Sequence, residues 1–198
     1  DVLLKEVHHR VKNNLQVISS LLSLQAMQLL DPDLRQRLLE SQHRVQAIAL
    51  VHEKLYGSEH LSHIRFGEYT EALATDLAET HAAAARGIAL SLHMDDVHIG
   101  VDAAIPCGLI LNELVSNALK HAFVGSPRGT VEVRLVRAGR RLTLSVADDG
   151  IGLPPGLDPR RSSTLGLDLV FTFAEQLDAD VEVETEGGTR FSISFAEK

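Results

Sequence analysis

"LILNELVSNALKHAF", residues 109–123, is the stretch whose reading decides the fold. Its apolar residues recur at helical spacing, so it reads as the core of a long helix over 102–123. Glu113, Asn117 and Lys120 then fall at i, i+4 and i+7, on one face. An acid, a neutral amide and a cation in a row suit a metal-bridged polyphosphate. A single amide ligand fits magnesium, which keeps its waters and takes phosphate oxygens for the rest. Taken alone, the pattern also describes an ordinary amphipathic surface helix.

Two stretches downstream sharpen the reading. "DDGIGLP" (148–154) sets an aspartate at a strand end before two glycines. A buried carboxylate there accepts a hydrogen bond from an exocyclic amine, and glycine lets backbone approach a flat ring. "STLGLDLV" (163–170) opens a helix at Gly166, and a helix N-terminus attracts phosphate. Each motif alone has a plain structural reading, a glycine turn or an N-capped helix. In this order, with strands between them, they point to a nucleotide. No GxxxxGK[ST] pattern occurs, so the site is not a P-loop.

Around these motifs the chain from about residue 64 alternates helix and strand. Helices are predicted over 67–83, 102–123 and 165–177. Strands are predicted over 88–94, 130–137, 141–147, 180–185 and 189–195. "AGR" (138–140) and "EGG" (186–188) read as hairpin turns. The result is a layered α/β sandwich, helices on one face of a mostly antiparallel sheet.

The first part of the chain has another texture. Apolar residues at 4, 7, 11, 15, 18 and 22 mark one helix within 2–30, and Leu34, Leu38, Val45, Ile48 and Leu55 mark a second over 34–56. "LLDPDL" breaks them, with Pro32 placed to begin the second helix. The division is therefore a helical hairpin over 1–63 and an α/β domain over 64–198. Two helices alone bury little, so the hairpin is expected to pair with a second copy in a four-helix bundle.

"EVHHRVKNNLQ" (6–16) lies on the first helix. His9 shares a polar stripe with Asn13, Gln16, Ser20 and Ser23, while His8 lies about a quarter-turn round. Position alone favours a solvated surface histidine. Lys12 and Asn13 stand where a second metal ligand would be needed, so a local metal site is not expected. An exposed neutral imidazole remains a competent nucleophile near pH 7.

Composition excludes several classes. The 198 residues are 44% apolar, which supports a real core, and the net charge of -8 argues against nucleic acid as partner. The lone cysteine, Cys107, excludes an internal disulfide and paired-cysteine zinc sites. No apolar run approaches the ~18 residues of a membrane span, so no membrane contact is expected. A cytoplasmic setting fits. The chain opens on Asp1 rather than methionine, as a piece of a longer protein would.

Together the motifs resemble the catalytic core of a two-component sensor histidine kinase. "EVHHRVKNNLQVISSLL" is similar to the subgroup with an HRVKNNLQ H-box, a sister of the HWE kinases. "NELVSNALKHAF" resembles the N-box, "DDGIGLP" the G1 box, "STLGLDLV" a shortened G2 box, and "GGTRFSISF" (187–195) the closing strand of the GHKL (Bergerat) ATP-binding fold. The resemblance covers nearly the whole chain.

It implies Mg-ATP-dependent autophosphorylation of His9 and phosphotransfer to an aspartate on a response-regulator receiver domain, in a homodimer. Residue by residue, it makes Asn117 the magnesium ligand and Glu113 the N-box acid, a general base in ATP-hydrolysing relatives. Lys120 and His121 are implied near phosphate. Asp148 is implied to read the adenine amine, with Gly150 and Gly152 making room, Gly166 at the lid hinge and Thr189 near adenine.

The chain departs from the pattern at three places. Arg10 follows His9 where many kinases carry an acid, leaving Glu6 as a candidate to orient the imidazole. The N-box begins on Asn112 and no tryptophan occurs, which separates the chain from HWE kinases proper. The lid over 153–165 is short, and Arg160 and Arg161 within it read more readily as a solvated pair than as phosphate ligands. Rival readings on the same fold are an ATPase or serine kinase and an inactive docking scaffold.

Overall fold

A computed structural model describes residues 2–56, 64–126, 128–154, 156–161 and 165–197, with the side chains of 2–9, 52, 54–56 and 161 outside the description. The expectations for the His9, Glu6, Leu55 and Arg161 side chains, and for residues 162–164, therefore lie outside the described residues.

Helices α1 (Val2–Gln28) and α2 (Pro32–Tyr56) form the expected hairpin. Asp31 caps α2, its Oδ1 accepting the N–H groups of Asp33 at 2.9 Å and Leu34 at 3.3 Å. Pro32 takes the first helical position, where its missing N–H costs nothing. Lys12 Nζ meets Glu53 Oε2 at 3.0 Å across the pair. That contact fixes which levels of the two helices face each other.

The second part holds α3 (Phe66–Thr80), α4 (Val101–Asn117) and α5 (Leu165–Gln176). Its strands are β1 (Ile64–Arg65), β2 (Ile88–Met94), β3 (His98–Ile99), β4 (Gly129–Ala138), β5 (Arg141–Asp148), β6 (Asp180–Glu184) and β7 (Thr189–Ala196). Five strands make the main sheet in the order β2-β4-β5-β7-β6. All neighbours are antiparallel except β2 and β4, which run parallel with Leu90 opposite Val131. The sheet is thus mostly antiparallel, as expected. β1 and β3 pair by themselves, a two-residue ladder too short to leave a sequence signal.

Period-two alternation sends Val131, Val133, Leu135, Leu142, Leu144, Val146, Phe191, Ile193 and Phe195 to one face, all buried under the helices. Their neighbours along the strands form a helix-free polar face, with Thr143 and Ser194 hydroxyls 2.8 Å apart.

α4 is the central element. Every residue from Pro106 to Ser116 is buried, because α2, α3, α5 and the sheet all pack on it. It is not the half-wet surface helix that its polar residues alone permit. Gly108 explains one contact: a Cβ there would fall 2.0 Å from the Tyr69 hydroxyl. The fully buried Tyr69 of α3 fills that space and donates to the Ala47 carbonyl of α2 at 3.2 Å.

The hairpin is not equally shared. Ala47 and Val51 of α2 are fully buried in the same core as Ile64, Phe66 and Cys107. On α1 the proposed stripe is only partly covered: Val11, Leu15 and Leu22 are half-buried, while Ile18 is 45% exposed. Val17, Leu21 and Leu24 lie more than half exposed beside it.

Candidate functional site

The N-box motif supplies the first wall. Regular α4 ends at Asn117 and winds on as one π-helical turn, Ala118–Ala122. Wider turns of this kind recur at functional sites, where they re-aim side chains. Here the turn carries Lys120 and His121. The sequence placed one continuous helix over 102–123, because no pattern of apolar residues distinguishes a π turn.

Glu113 is 6% exposed, so its carboxylate needs partners. It accepts two hydrogen bonds from Arg44 of α2, Nε to Oε1 at 2.7 Å and Nη2 to Oε2 at 2.9 Å. Asn112 Nδ2 adds a third at 3.1 Å. Lys120 is likewise engaged, its Nζ donating to Glu40 Oε1 at 2.8 Å. Burial pushes the Glu40 carboxyl up, but the hydrogen bond and charge of Lys120, with the Gln36 hydrogen bond and the charge of Arg44, together hold Glu40 below its ordinary range. Among the described residues, the buried Asn112 Oδ1 and Ser116 Oγ have no hydrogen-bond partner.

The start of α5 closes on this wall. A Cβ on Gly166 would lie 2.8 Å from Glu113 Oε2 and 3.7 Å from Asn117 Nδ2. A side chain at 166 would press on the Glu113 carboxylate that Arg44 holds, and would be in ordinary contact with Asn117. The N-box acid, the N-box amide and the G2 glycine therefore meet at one point, although some fifty residues separate them in the chain.

Asp148, Gly150 and Thr189 meet at the adjoining strand ends. Asp148, at the end of β5, pairs with Thr189, at the start of β7. Its Oδ1 accepts the Gly150 N–H at 3.0 Å. Burial lifts the Asp148 carboxyl above its ordinary range; hydrogen bonds from Gly150 and Thr189 oppose the lift, and the charge of Asp149 adds to it. A Cβ on Gly150 would strike the Ala122 carbonyl oxygen at 2.2 Å, and the Ile151 N–H donates to that oxygen at 2.9 Å. The G1 loop is thereby stitched to the end of the N-box. Gly152 has φ +73°, where side chains are strained. Asp148, Gly188 and Thr189 also border a cleft of about 290 Å³, but its other walls include Ser91, Glu132 and Arg190 on the helix-free face. Glu113, Asn117 and Gly166 lie on the opposite, helix-covered side.

Arg160 turns away from this site. It donates to the Val181 carbonyl at 2.7 Å and stacks 5.2 Å from the centre of the Phe171 ring. The residues that sequence reasoning missed are Glu40 and Arg44. Their i, i+4 spacing is that of any paired helix surface. Nothing local announces that both reach another element.

The α1–α2 register locates His9 relative to this site. The turn between Gln28 and Pro32 and the Lys12–Glu53 contact set the His9 backbone level with about residues 51 to 56 of α2. Arg44 lies about seven to twelve residues away, about 10–18 Å along the helix axis at 1.5 Å per residue.

Comparison with known proteins identifies both parts of the chain. A "Histidine kinase" family model matches residues 6–81, and a "Histidine kinase-, DNA gyrase B-, and HSP90-like ATPase" model matches 103–198. Sensor histidine kinase PdtaS of Mycobacterium tuberculosis is 36% identical over 183 residues, 91% of this chain and 36% of that protein. Blue-light-activated histidine kinase 2 of Erythrobacter litoralis is 32% identical over 194 residues, 96% of this chain and 55% of its own length. The chain thus spans between about a third and about half of these relatives. Among solved structures, the histidine kinase domain from Erythrobacter litoralis EL346 superposes with a TM-score of 0.75 at 28% identity, covering 97% of this chain and 89% of that one. The chain belongs to the sensor histidine kinases, as their helical histidine-kinase segment joined to a GHKL ATPase domain.

Proposed function

We propose that this chain binds Mg-ATP between α4, the G1 loop and the start of α5, and transfers the γ-phosphoryl group to its own His9. The supporting observation is the convergence of Glu113, Asn117 and Gly166 at one end of α4, with Asp148 and Thr189 on the adjoining strand ends. In this reading the Asp148 carboxylate accepts the adenine amine. Gly150 and Gly152 let the G1 loop close on Ala122 and Gly188 beside it. The N–H groups at the start of α5 face the phosphates in this reading.

No group of three His, Cys, Asp or Glu side chains suited to a metal occurs among the described residues. Magnesium fits here as an ion carried in with the nucleotide, the Asn117 amide oxygen being its protein ligand. When bound, it neutralises charge on the transferring phosphoryl oxygens. Lys120 and His121 stand at the same end of α4 to steer phosphate. A ring nitrogen of His9 forms the new N–P bond as the bond to the β-phosphate oxygen breaks and ADP leaves. Glu113, once parted from Arg44, is the carboxylate available to take a proton. The phosphoryl group then passes to an aspartate of a response-regulator receiver domain.

The reading includes a homodimer through the hairpin, supported by the exposed apolar face of α1. Its test is incubation with γ-labelled Mg-ATP, then acid and alkali treatment. Acid-labile, alkali-stable label that is lost in His9→Gln and kept in His8→Gln is the expected result. Label on the His9→Gln protein refutes the assignment. Asp148→Asn should weaken binding of an ATP analogue by about 1.5–3 kcal/mol, the worth of a hydrogen bond to a charged group. Calorimetry reads it, and unchanged affinity removes Asp148 from the adenine site.

A further inference from the structure

We propose that Arg86, on the turn between α3 and β2, is a positioning residue: its guanidinium holds the π-helical turn at the end of α4 in the wide form that aims Lys120 and His121 at the nucleotide's phosphates. This deepens the nucleotide reading above and rests on it.

Three observations carry it. First, Arg86 grips the backbone of the π turn itself. Its Nη1 donates to the Leu119 carbonyl at 2.7 Å, from 33 residues away in the chain. The last carbonyls of a helix lack donors within the helix and must find them elsewhere. Arg86 supplies one, and the Ile151 N–H supplies the Ala122 carbonyl at 2.9 Å. A guanidinium is also the favoured partner for the negative end of the helix dipole. Lys120 and His121 lie between these two gripped carbonyls.

Second, the turn that carries Arg86 is itself rigid. Arg86 ends a short 3-10 turn, Ala84–Arg86. Just before it, Ala82 has φ +50°, which costs a residue with a side chain energy and lasts only where the surroundings impose it. They do so here. Ala83 is buried, donates its N–H to the Ala78 carbonyl at 2.9 Å and accepts the Ile88 N–H at 2.9 Å. The Arg86 N–H is shared between the Ala82 and Ala83 carbonyls at 3.1 and 3.0 Å. The base of the side chain is therefore fixed before the guanidinium reaches across.

Third, the guanidinium is not core filling. Arg86 is exposed, whereas Leu119 and Phe123 are buried by their own packing. The Phe123 ring occupies the space at Gly129, where a Cβ would fall 2.0 Å from it. The core beside the π turn thus survives without Arg86, and what is lost is the donor to the Leu119 carbonyl. If the turn rewinds as ordinary α-helix, Lys120 and His121 rotate about the axis relative to Asn117, and the cation no longer shares a side with the amide.

The test uses the whole chain with Arg86→Met, which keeps an unbranched stem without charge or donor, and Arg86→Lys, which keeps both. Urea midpoints of the two variants should stay close to the parent's. Amide exchange over residues 118–124 should quicken about tenfold in Arg86→Met but not in Arg86→Lys, while β4 and β5 keep their rates. Affinity for a non-hydrolysable Mg-ATP analogue should fall about fivefold or more in Arg86→Met and return to within about twofold of the parent in Arg86→Lys. With Lys120→Met and His121→Gln already in place, Arg86→Met should add little, the mark of a residue that acts through its neighbours. Unchanged exchange over 118–124 overturns the proposal, and so do equal affinities in all three proteins. A full further loss in the Lys120→Met, His121→Gln protein overturns it as well, by making Arg86 a direct phosphate ligand. A parent protein that binds no nucleotide refutes the nucleotide reading, and the exchange rates then decide on their own whether Arg86 holds the turn.

Discussion

The two helices of the hairpin have similar lengths and opposite allegiances. α2 sends Ala47 and Val51 into the core beneath α3 and α4, and reaches the N-box with Glu40 and Arg44. α1 touches α2 and leaves Val17, Leu21 and Leu24 in water. The difference teaches where the working boundary lies. A boundary at residue 63 follows the change in sequence texture, but buried contacts run across it. In packing terms α2 goes with α3 and α4, and α1 holds the more exposed apolar face of the two among the described residues.

The largest test breaks the chain at the textural boundary. The division by texture makes 64–198 a domain of its own. The structure implies that this fragment exposes Ile64, Phe66, Tyr69 and Cys107, while 31–198 keeps them covered. At about 25 cal/mol per Å² of apolar surface, loss of this packing is worth about 5 kcal/mol, much of a domain's stability. Urea unfolding should show 31–198 as the more stable fragment by a wide margin. Equal midpoints would restore the boundary at 63. Next in size is Tyr69→Ala in the whole chain. It removes a fully buried ring stacked on Phe66, with its hydrogen bond to α2. Large-to-small changes of this kind cost about 3–5 kcal/mol. A loss under about 1 kcal/mol would mean that the wedge between α2 and α4 is not a stability element.

α1 should respond in the opposite way. Leu21 and Leu24 are 53% and 57% exposed, so a second copy can still cover about half of each. Leu21→Glu with Leu24→Glu should weaken the dimer by about 2 kcal/mol per chain while leaving the urea midpoint of the ATP-binding unit nearly unchanged. Light scattering reads this as a fall from near twice 21.6 kDa toward 21.6 kDa. A protein of 21.6 kDa before substitution refutes the dimer.

The elements were legible because their patterns are local. Alternation in "TVEVRLVR" and "RLTLSVA" gives β4 and β5, and Gly139 with φ +64° makes the turn between them. Asp148, Gly150 and Gly166 were legible as a set, since each motif carries its own chemistry. The π turn was not, because it depends on how α4 meets the G1 loop at Ala122. Arg44 and Glu40 were not, because a charged residue on a helix looks the same whether its partner is water or another element. Gly108 had no reading at all until Tyr69 filled its place.

The smallest test is acid sensitivity at the joint between the two parts. His43 of α2 and His81 after α3 meet edge to face, 6.1 Å between ring centres. Around them lie Glu40 and Arg44 of α2, Asp76 of α3, Arg86, Glu113 of α4, and Lys120 and His121 of the π turn. Burial, then the charge of Lys120, lowers all three imidazoles, His81 to about 4. Asp76, Glu40 and Glu113 pull the other way without prevailing at His43. Because the folded pKa lies below the unfolded one, the unfolded chain binds more protons between the two values. Stability from these groups is complete above the ordinary histidine pKa and is lost as pH falls toward about 4. Between about pH 7.5 and about pH 5.5 the loss should be on the order of 1 kcal/mol, after allowing for partial solvent screening, and carboxylates contribute little in that window. His81→Asn should flatten the dependence of the urea midpoint on pH. An unaltered slope would separate His81 from the joint.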